Sequence, residues 1–156
     1  MSSGDRRDAA EASGDDSTVE LIVFVVDNLV CALDIARAQE IKGQLDIIEV
    51  PQAAMNVRGL ANLRGQVITV IDLRIVFGIE PKAIDADSRI VVVREETGVV
   101  GLLVDEVDDI VTARSSELEH PPANVSGVQG EFFESVYQRE GDLACVLDIE
   151  RILRHE

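Results

Sequence analysis

Two histidines are the side chains best suited to acid–base catalysis near neutral pH, and neither lies in a recognisable active-site motif. His120 precedes two prolines, and His155 is the penultimate residue of the sequence. There is no G-x-S-x-G nucleophile elbow, no phosphate-binding P-loop and no H-E-x-x-H zinc motif. Because nucleophilic catalysis needs a base held beside a nucleophile, these residues disfavour a histidine-dependent enzyme. We expect no catalytic residue and no cofactor.

Four carboxylates form a dense acidic cluster, namely Asp105, Glu106, Asp108 and Asp109. Carboxylate oxygens are the ligands that hard cations such as Ca²⁺ and Mg²⁺ prefer. The cluster lacks the D-x-D-x-D-G turn of a calcium loop, and acidic runs at strand connections are more often solvated surface. A metal-dependent enzyme that uses this cluster is kept as an alternative from a different functional class.

Arg64 is the most informative charged residue, because it lies between Leu63 and Gly65 at the mouth of an apolar segment. A guanidinium in such a place needs a carboxylate partner, and a bidentate pair satisfies it best. Glu40, between Gln39 and Ile41, is the candidate partner on a neighbouring strand. The pair could pin two strands together, shape a docking surface, or do both.

Composition limits the classes of partner. The 156 residues carry a net charge of -16, which repels nucleic acid phosphates and anionic lipids, and aromatic residues make up only 3% of the chain. No apolar run is long enough to span a membrane, and residues 1–17 contain no secretory h-region. We therefore expect a cytoplasmic protein without nucleic acid binding and without direct membrane insertion. The composition leaves open both a basic or apolar protein partner and a surface that is merely acidic and soluble.

The two cysteines, Cys31 and Cys145, each lie inside an apolar run and form no C-x-x-C pair. They are interpreted as small buried hydrophobic residues in a reducing compartment, although the sequence leaves a disulfide between them open.

The strongest structural pattern is the stretch Arg58–Gly78. Its glycines at 59 and 65 predict two turns, and Gln66–Ile71 has the β-branched density of a buried strand. Asp72 follows this strand and is placed to cap a short helix through its carboxylate.

A degraded copy of this pattern occurs near the C-terminus, where Gly141–Ile149 matches Gly65–Leu73 in its glycine, its apolar positions and its aspartate. Such a match indicates a duplicated unit. Each half then has about five short strands and a terminal helix, and curling into a small barrel would protect their edges. We predict a disordered acidic tail over 1–17 and one domain over 18–156, with subdomains at about 18–80 and 88–156.

Several segments resemble the signature of the CheW-like domain. They are R-G-L-A-N-L-R-G at 58–65, V-I-x-V-I-D-L-R at 67–74 with Phe77, Q-E-I at 39–41, and V-V-G-L-L-V-D-x-V at 99–107. The resemblance covers nearly all of the chain except the tail. It implies a mainly β fold of two five-stranded SH3-like β-barrel subdomains packed together, with short helices.

The resemblance also implies a function and a site. Family members are non-catalytic adaptors that couple the cytoplasmic tip of a chemoreceptor (methyl-accepting chemotaxis protein) to the regulatory domain of the CheA-type histidine kinase, at the inner face of the membrane. By this similarity, the expected receptor-binding residues are Glu40, Asn62, Arg64, Gly65, Gly101 and Val107. The expected kinase-binding residues are Ala38, Ile41 and Gly59.

Two further readings stay open at this point. An adaptor of this family could serve a chemosensory-like pathway that controls surface motility or another output. The chain could also be a barrel-type binding module for an unknown ligand.

Overall fold

The computed structural model describes residues 17–43, 45–51, 55–96 and 98–154. The expected acidic tail lies outside the described residues apart from Ser17. Within these ranges, fourteen strands account for most of the regular structure, and the helices are short. Among the described residues, no helix has both the length and the hydropathy needed to cross a bilayer.

Short strands and a few short helices follow one another along the described part of the chain. The first eight strands are β1 (Thr18–Val26), β2 (Leu29–Asp34), β3 (Ala38–Lys42), β4 (Ile47–Ile48), β5 (Val57–Leu63), β6 (Gln66–Asp72), β7 (Arg89–Glu95) and β8 (Gly98–Val104). The remaining strands are β9 (Glu106–Arg114), β10 (Leu118–Glu119), β11 (Asn124–Val125), β12 (Val128–Gln129), β13 (Phe133–Arg139) and β14 (Asp142–Leu147). The α-helices are α1 (Leu73–Val76) and α2 (Ile149–Arg154), and the 3-10 turns are Ile35–Arg37, Ser115–Glu117 and Gly130–Phe132.

Twelve of these strands form two six-stranded sheets. The central sheet has the order β3-β7-β8-β6-β5-β4, and the terminal sheet has the order β10-β13-β14-β2-β1-β9. The short pair β11-β12 stands apart from both. The expected mainly β fold with two SH3-like halves and short helices is confirmed. Each sheet has six strands instead of the expected five, because a two-residue strand is added at one edge. Each sheet stays open.

The strand pairing does not follow the expected division of the chain at residues 80–88. The N-terminal hairpin β1-β2 belongs to the terminal sheet with β9 and β14, whereas the hairpin β7-β8 belongs to the central sheet with β3 and β6. Each sheet thus takes one hairpin from the other half of the chain. The boundary read from loop composition misses this exchange, because it arises from non-local pairing.

The repeat seen in the sequence is also a repeat of strand pairing. In the central sheet β6 lies parallel to β8, with Thr69 opposite Val100. In the terminal sheet β14 lies parallel to β2, with Cys145 opposite Cys31. We call each of these parallel strand pairs a parallel joint. In both joints one strand, β6 or β14, runs directly into a helix that starts after an aspartate. The Asp72 carboxylate caps the first helix by accepting from the Arg74 N–H at 3.0 Å. The predicted strand and its cap are therefore confirmed.

One apolar core joins the two sheets. The largest buried cluster combines Phe24 and Leu33 of the terminal sheet with Val91 and Leu102 of the central sheet. The ring of Phe77, at the end of α1, lies 5.7 Å from Phe132 and 5.8 Å from Phe133, measured between centroids. The two halves therefore bury one another's apolar surface.

We expect Phe24→Ala to lower the free energy of unfolding by about 3–5 kcal/mol, because Phe24 is fully buried in the shared core. Urea denaturation followed by circular dichroism measures the change. The matched control Val67→Ala removes an aliphatic side chain that is 62% exposed and should shift stability by about 0.5 kcal/mol or less. Two separate transitions, only one of which moves, would contradict the shared core.

Candidate partner-binding site

Arg64 and Gly65 form the tip of the β5-β6 hairpin. Leu63 pairs with Gln66, so the loop contains only these two residues. Their φ angles are 52° and 86°, as in the type I′ turns whose twist matches that of paired strands. The Asn62 side chain completes the turn by accepting a 2.8 Å hydrogen bond from the Gly65 N–H. Asn62 thus fixes the loop that presents the Arg64 side chain.

The predicted ion pair between Arg64 and Glu40 is confirmed. Arg64 Nη1 donates to Glu40 Oε1 at 2.8 Å, and Nη2 donates to Oε2, which gives a bidentate pair. Glu40 is not on a neighbouring strand, however, because β7, β8 and β6 separate β3 from β5 in the sheet order. The pair joins the edge strand β3 to the tip of the β5-β6 hairpin, which the curl of the central sheet brings close together. The strand order alone does not reveal that these two segments are close.

The ion pair is held at the surface. The side chain of Arg64 is 62% exposed and that of Glu40 is 21% exposed. The guanidinium of Arg64 lowers the pKa of Glu40 from 4.5 to about 2, chiefly through its hydrogen bonds. Because exposed ion pairs add little to stability, the pair mainly fixes the direction of the arginine side chain.

The two glycines at 59 and 101 are packing positions. Gly59 lies inside β5 rather than in a turn, so the predicted turn there is wrong. A Cβ on Gly59 would sit 2.3 Å from the carbonyl oxygen of Ile48, and one on Gly101 would sit 2.7 Å from Ile90 Cγ2. Both residues are buried, and their lack of a side chain lets neighbouring groups approach closely.

Ala38, Ile41 and Val107 lie on the edge strands of the two sheets. Ala38 of β3 lies opposite Val93 of β7, and Val107 of β9 lies opposite Phe24 of β1. One extra residue follows each of them, which makes equivalent β-bulges in the two edge strands. Ala38 and Val107 are half-buried against the shared core, while the Ile41 side chain is 37% exposed.

The structure therefore gathers some of the sequence-predicted residues and separates others. Glu40, Asn62, Arg64 and Gly65 come together at one hairpin tip, which we call the hairpin-tip site. Gly101 lies within the central sheet, and Val107 lies on the terminal sheet.

Sequence reasoning missed a second set of ion pairs, at the junction of the two sheets. Arg74 donates from Nε to Asp105 Oδ1 at 2.9 Å and from Nη2 to Asp105 Oδ2 at 2.8 Å, and its side chain is 13% exposed. Asp105 also accepts from the Asp27 N–H at 2.7 Å. This network ties α1 to the turn of the N-terminal hairpin, and the Asp-Leu-Arg element of the sequence was its only signal.

The acidic cluster of the sequence is divided between arginine partners. Asp105 pairs with Arg74, whereas Asp108 lies 3.3 Å from Arg139, which also pairs with Asp142 at 2.7 Å. The hydrogen bonds that Arg139 donates to Asp142 and Asp108 raise the pKa of its guanidinium. Within the described part of the chain, no group of three or more acidic, cysteine or histidine side chains is arranged to hold a metal ion.

Removing the Arg64 side chain should return the pKa of Glu40 from about 2 towards 4.5, its ordinary value. Because the folded-state pKa is depressed, the pair's small stabilisation is fully present above pH 4.5 and disappears as the pH falls towards about 2. Arg64→Gly suits the test, since glycine tolerates the positive φ. An NMR titration of the Glu40 side chain measures the pKa, with Arg151→Ala as the control. An unchanged pKa in Arg64→Gly would mean that the pair does not form in solution.

Comparison with known proteins gives matches over most of the chain. The family model described as the CheW-like domain matches residues 20–156. The chemotaxis protein CheW of Rhizobium meliloti (strain 1021) is 30% identical over 137 residues, covering 88% of each protein. The CheW protein of Thermotoga maritima is 31% identical over 134 residues, covering 86% of this chain and 87% of its own.

A solved structure is similar across both sheets. The scaffolding protein TtCheW from Thermoanaerobacter tengcongensis superposes with a TM-score of 0.82 at 26% identity, covering 88% of this chain and 94% of its own. The sequence match over most of the chain and the shared fold lead to the same conclusion: this chain belongs to the CheW-like family.

Proposed function

We propose that this protein is a non-catalytic adaptor that couples the cytoplasmic tips of bacterial chemoreceptors to the regulatory domain of a CheA-type histidine kinase. The observation that carries the proposal is the hairpin-tip site, where an exposed arginine is held in one direction by Glu40 and Asn62. A presented, pre-ordered arginine is a common anchor in protein interfaces. The chemotaxis names of the relatives and the scaffolding role of the structural neighbour support the same role.

The proposed receptor-binding residues form a surface centred on the hairpin-tip site. Arg64 would supply the charged anchor, and the neighbouring side chain of Val67, which is 62% exposed, would add apolar contact. Asn62 and Gly65 would act by shaping the turn. Gly101 would act from inside the sheet by permitting close packing, and Val107 would contribute from the edge of the terminal sheet.

The proposed kinase-binding surface is the exposed side of β3, which is an edge strand of the central sheet. Ile41 offers an exposed apolar side chain, and Ala38 is half-buried at the start of the same edge strand. Gly59 is buried, so we propose that it supports this surface by allowing β4 to pack closely.

An adaptor of this kind would act in the cytoplasm, at the inner face of the membrane through its receptors. It would transmit signals by binding two receptor states with different affinity, and it would do no chemistry itself. Modest interfaces suit such a role, because many weak contacts repeated across an array add up to stable assembly.

Arg64→Gly should weaken binding of a chemoreceptor tip fragment by about tenfold or more, because it removes an interface anchor while keeping the turn. Isothermal titration with the receptor fragment measures the affinity, and thermal unfolding checks the fold. The control Arg151→Ala removes an arginine that is also exposed, at 51%, and ion-paired, and it should bind normally. Unchanged affinity in a folded Arg64→Gly variant would exclude Arg64 from the receptor site. A large loss of thermal stability would instead indicate that the pair serves the fold.

Ile41→Asp should weaken binding to the kinase regulatory domain by about tenfold or more, because it puts a charge into the apolar part of the proposed surface. Ile84→Asp is the control, since Ile84 is a similarly exposed isoleucine in the loop before β7. Equal binding by the two isoleucine variants would remove Ile41 from the proposed surface.

A further inference from the structure

The two cysteines of the chain lie opposite each other in the terminal sheet. Cys31 on β2 and Cys145 on β14 are paired residues of a parallel joint, although most of the chain separates them in sequence. Both belong to the shared core, whereas the next pair along the joint, Ala32 and Val146, belongs to a separate apolar cluster. Since side chains alternate between the faces of a sheet, the two thiols lie on the same face.

This arrangement satisfies the main distance requirement of a disulfide. Adjacent strands lie about 4.8 Å apart, which places paired Cα atoms within the range of roughly 4.4–6.8 Å that disulfides span. The two cysteines are free in this structure, and neither is exposed to solvent. Thr69, which matches Cys145 in the repeat, lies opposite Val100 in the central sheet, so the dithiol is a feature of one joint and not of the repeat.

We propose that Cys31 and Cys145 are a redox-modification site, which a low-molecular-mass disulfide such as oxidised glutathione converts to an internal disulfide. One cysteine thiolate attacks the oxidant, forms a mixed disulfide and releases one thiol. The second thiolate attacks the protein sulfur of the mixed disulfide, which forms the Cys31–Cys145 bond and releases the second thiol. The two cysteines are oxidised, one oxidant disulfide is reduced, and the two protons leave with the released thiols.

Burial controls how fast this step can occur. Desolvation raises the pKa of both thiols, to about 11 for Cys145, so the reactive thiolate is scarce in the closed fold. The joint between β2 and β14 pairs only two residues from each strand, compared with four in the equivalent joint of the central sheet. Short joints open more readily, and a local opening there would expose both cysteines to the oxidant.

The link would have a defined mechanical effect. The joint connects the N-terminal hairpin β1-β2 to the C-terminal hairpin β13-β14, which come from different halves of the chain. A covalent bond at this point holds the exchanged hairpin in place and constrains the unfolded chain over a long loop. Oxidation would therefore stabilise the pairing of β2 with β14 in the terminal sheet.

The test uses the full chain unfolded in urea and then refolded in a glutathione redox buffer, so that access to the buried thiols does not limit the result. Alkylation followed by peptide mass spectrometry gives the fraction of Cys31–Cys145 linkage at equilibrium. We expect the equilibrium constant for the link to be about tenfold or more higher in the refolded protein than in the same buffer with urea retained. The linked protein should melt roughly 5–15 °C higher, and dithiothreitol should reverse the shift.

Cys31→Ala and Cys145→Ala are the matched controls, and each should abolish both the link and the shift in melting temperature. A linked fraction no higher in the refolded protein than in urea would overturn the proposal. A linked protein that melts below the reduced one would also overturn it, because the native joint would then be strained by the bond. Neither readout depends on receptor or kinase binding.

Discussion

The two parallel joints, β6 with β8 and β14 with β2, are the constraint on which the rest of the structure depends. Each joint brings a hairpin from one half of the chain into the sheet of the other half. Separating such a hairpin from its sheet would expose apolar side chains of the shared core, such as Phe24 and Leu102. The exchange of hairpins therefore couples the two similar sheets into one cooperative folding unit. The Arg74–Asp105 ion pair adds a polar contact at the junction of the two sheets, outside the apolar core.

The hairpin-tip site is a consequence of this construction. The central sheet curls until its edge strand β3 approaches the β5-β6 turn, and the Glu40–Arg64 pair spans the gap. The type I′ turn and the Asn62 cap fix the backbone, so the guanidinium is oriented before any partner arrives. Pre-ordering of this kind lowers the entropic cost of binding, which suits an adaptor that must work through small interfaces.

Local features of the molecule could be predicted from the sequence. The strand at Gln66–Ile71 and the helix cap of Asp72 depend on short-range chemistry, and both are present. The Glu40–Arg64 pair is also present, but the strands that carry its two residues are not neighbours in the sheet. The strand order, the hairpin exchange and the packing role of Gly59 depend on which distant segments meet, and periodicity carries no information about that. Arg74 illustrates the limit, since its motif was visible but its partners lie in distant turns, Asp27 between β1 and β2 and Asp105 between β8 and β9.

The proposed adaptor role requires one chain to bind a receptor and a kinase at different surfaces at the same time. Sedimentation velocity of the full chain with a chemoreceptor tip fragment and a kinase regulatory domain tests it most directly. We predict a ternary species that sediments faster than either binary complex and that is lost when this chain is omitted. Competition, in which the receptor fragment displaces the kinase domain, would contradict two separate surfaces, and the absence of either binary complex would contradict the adaptor role itself.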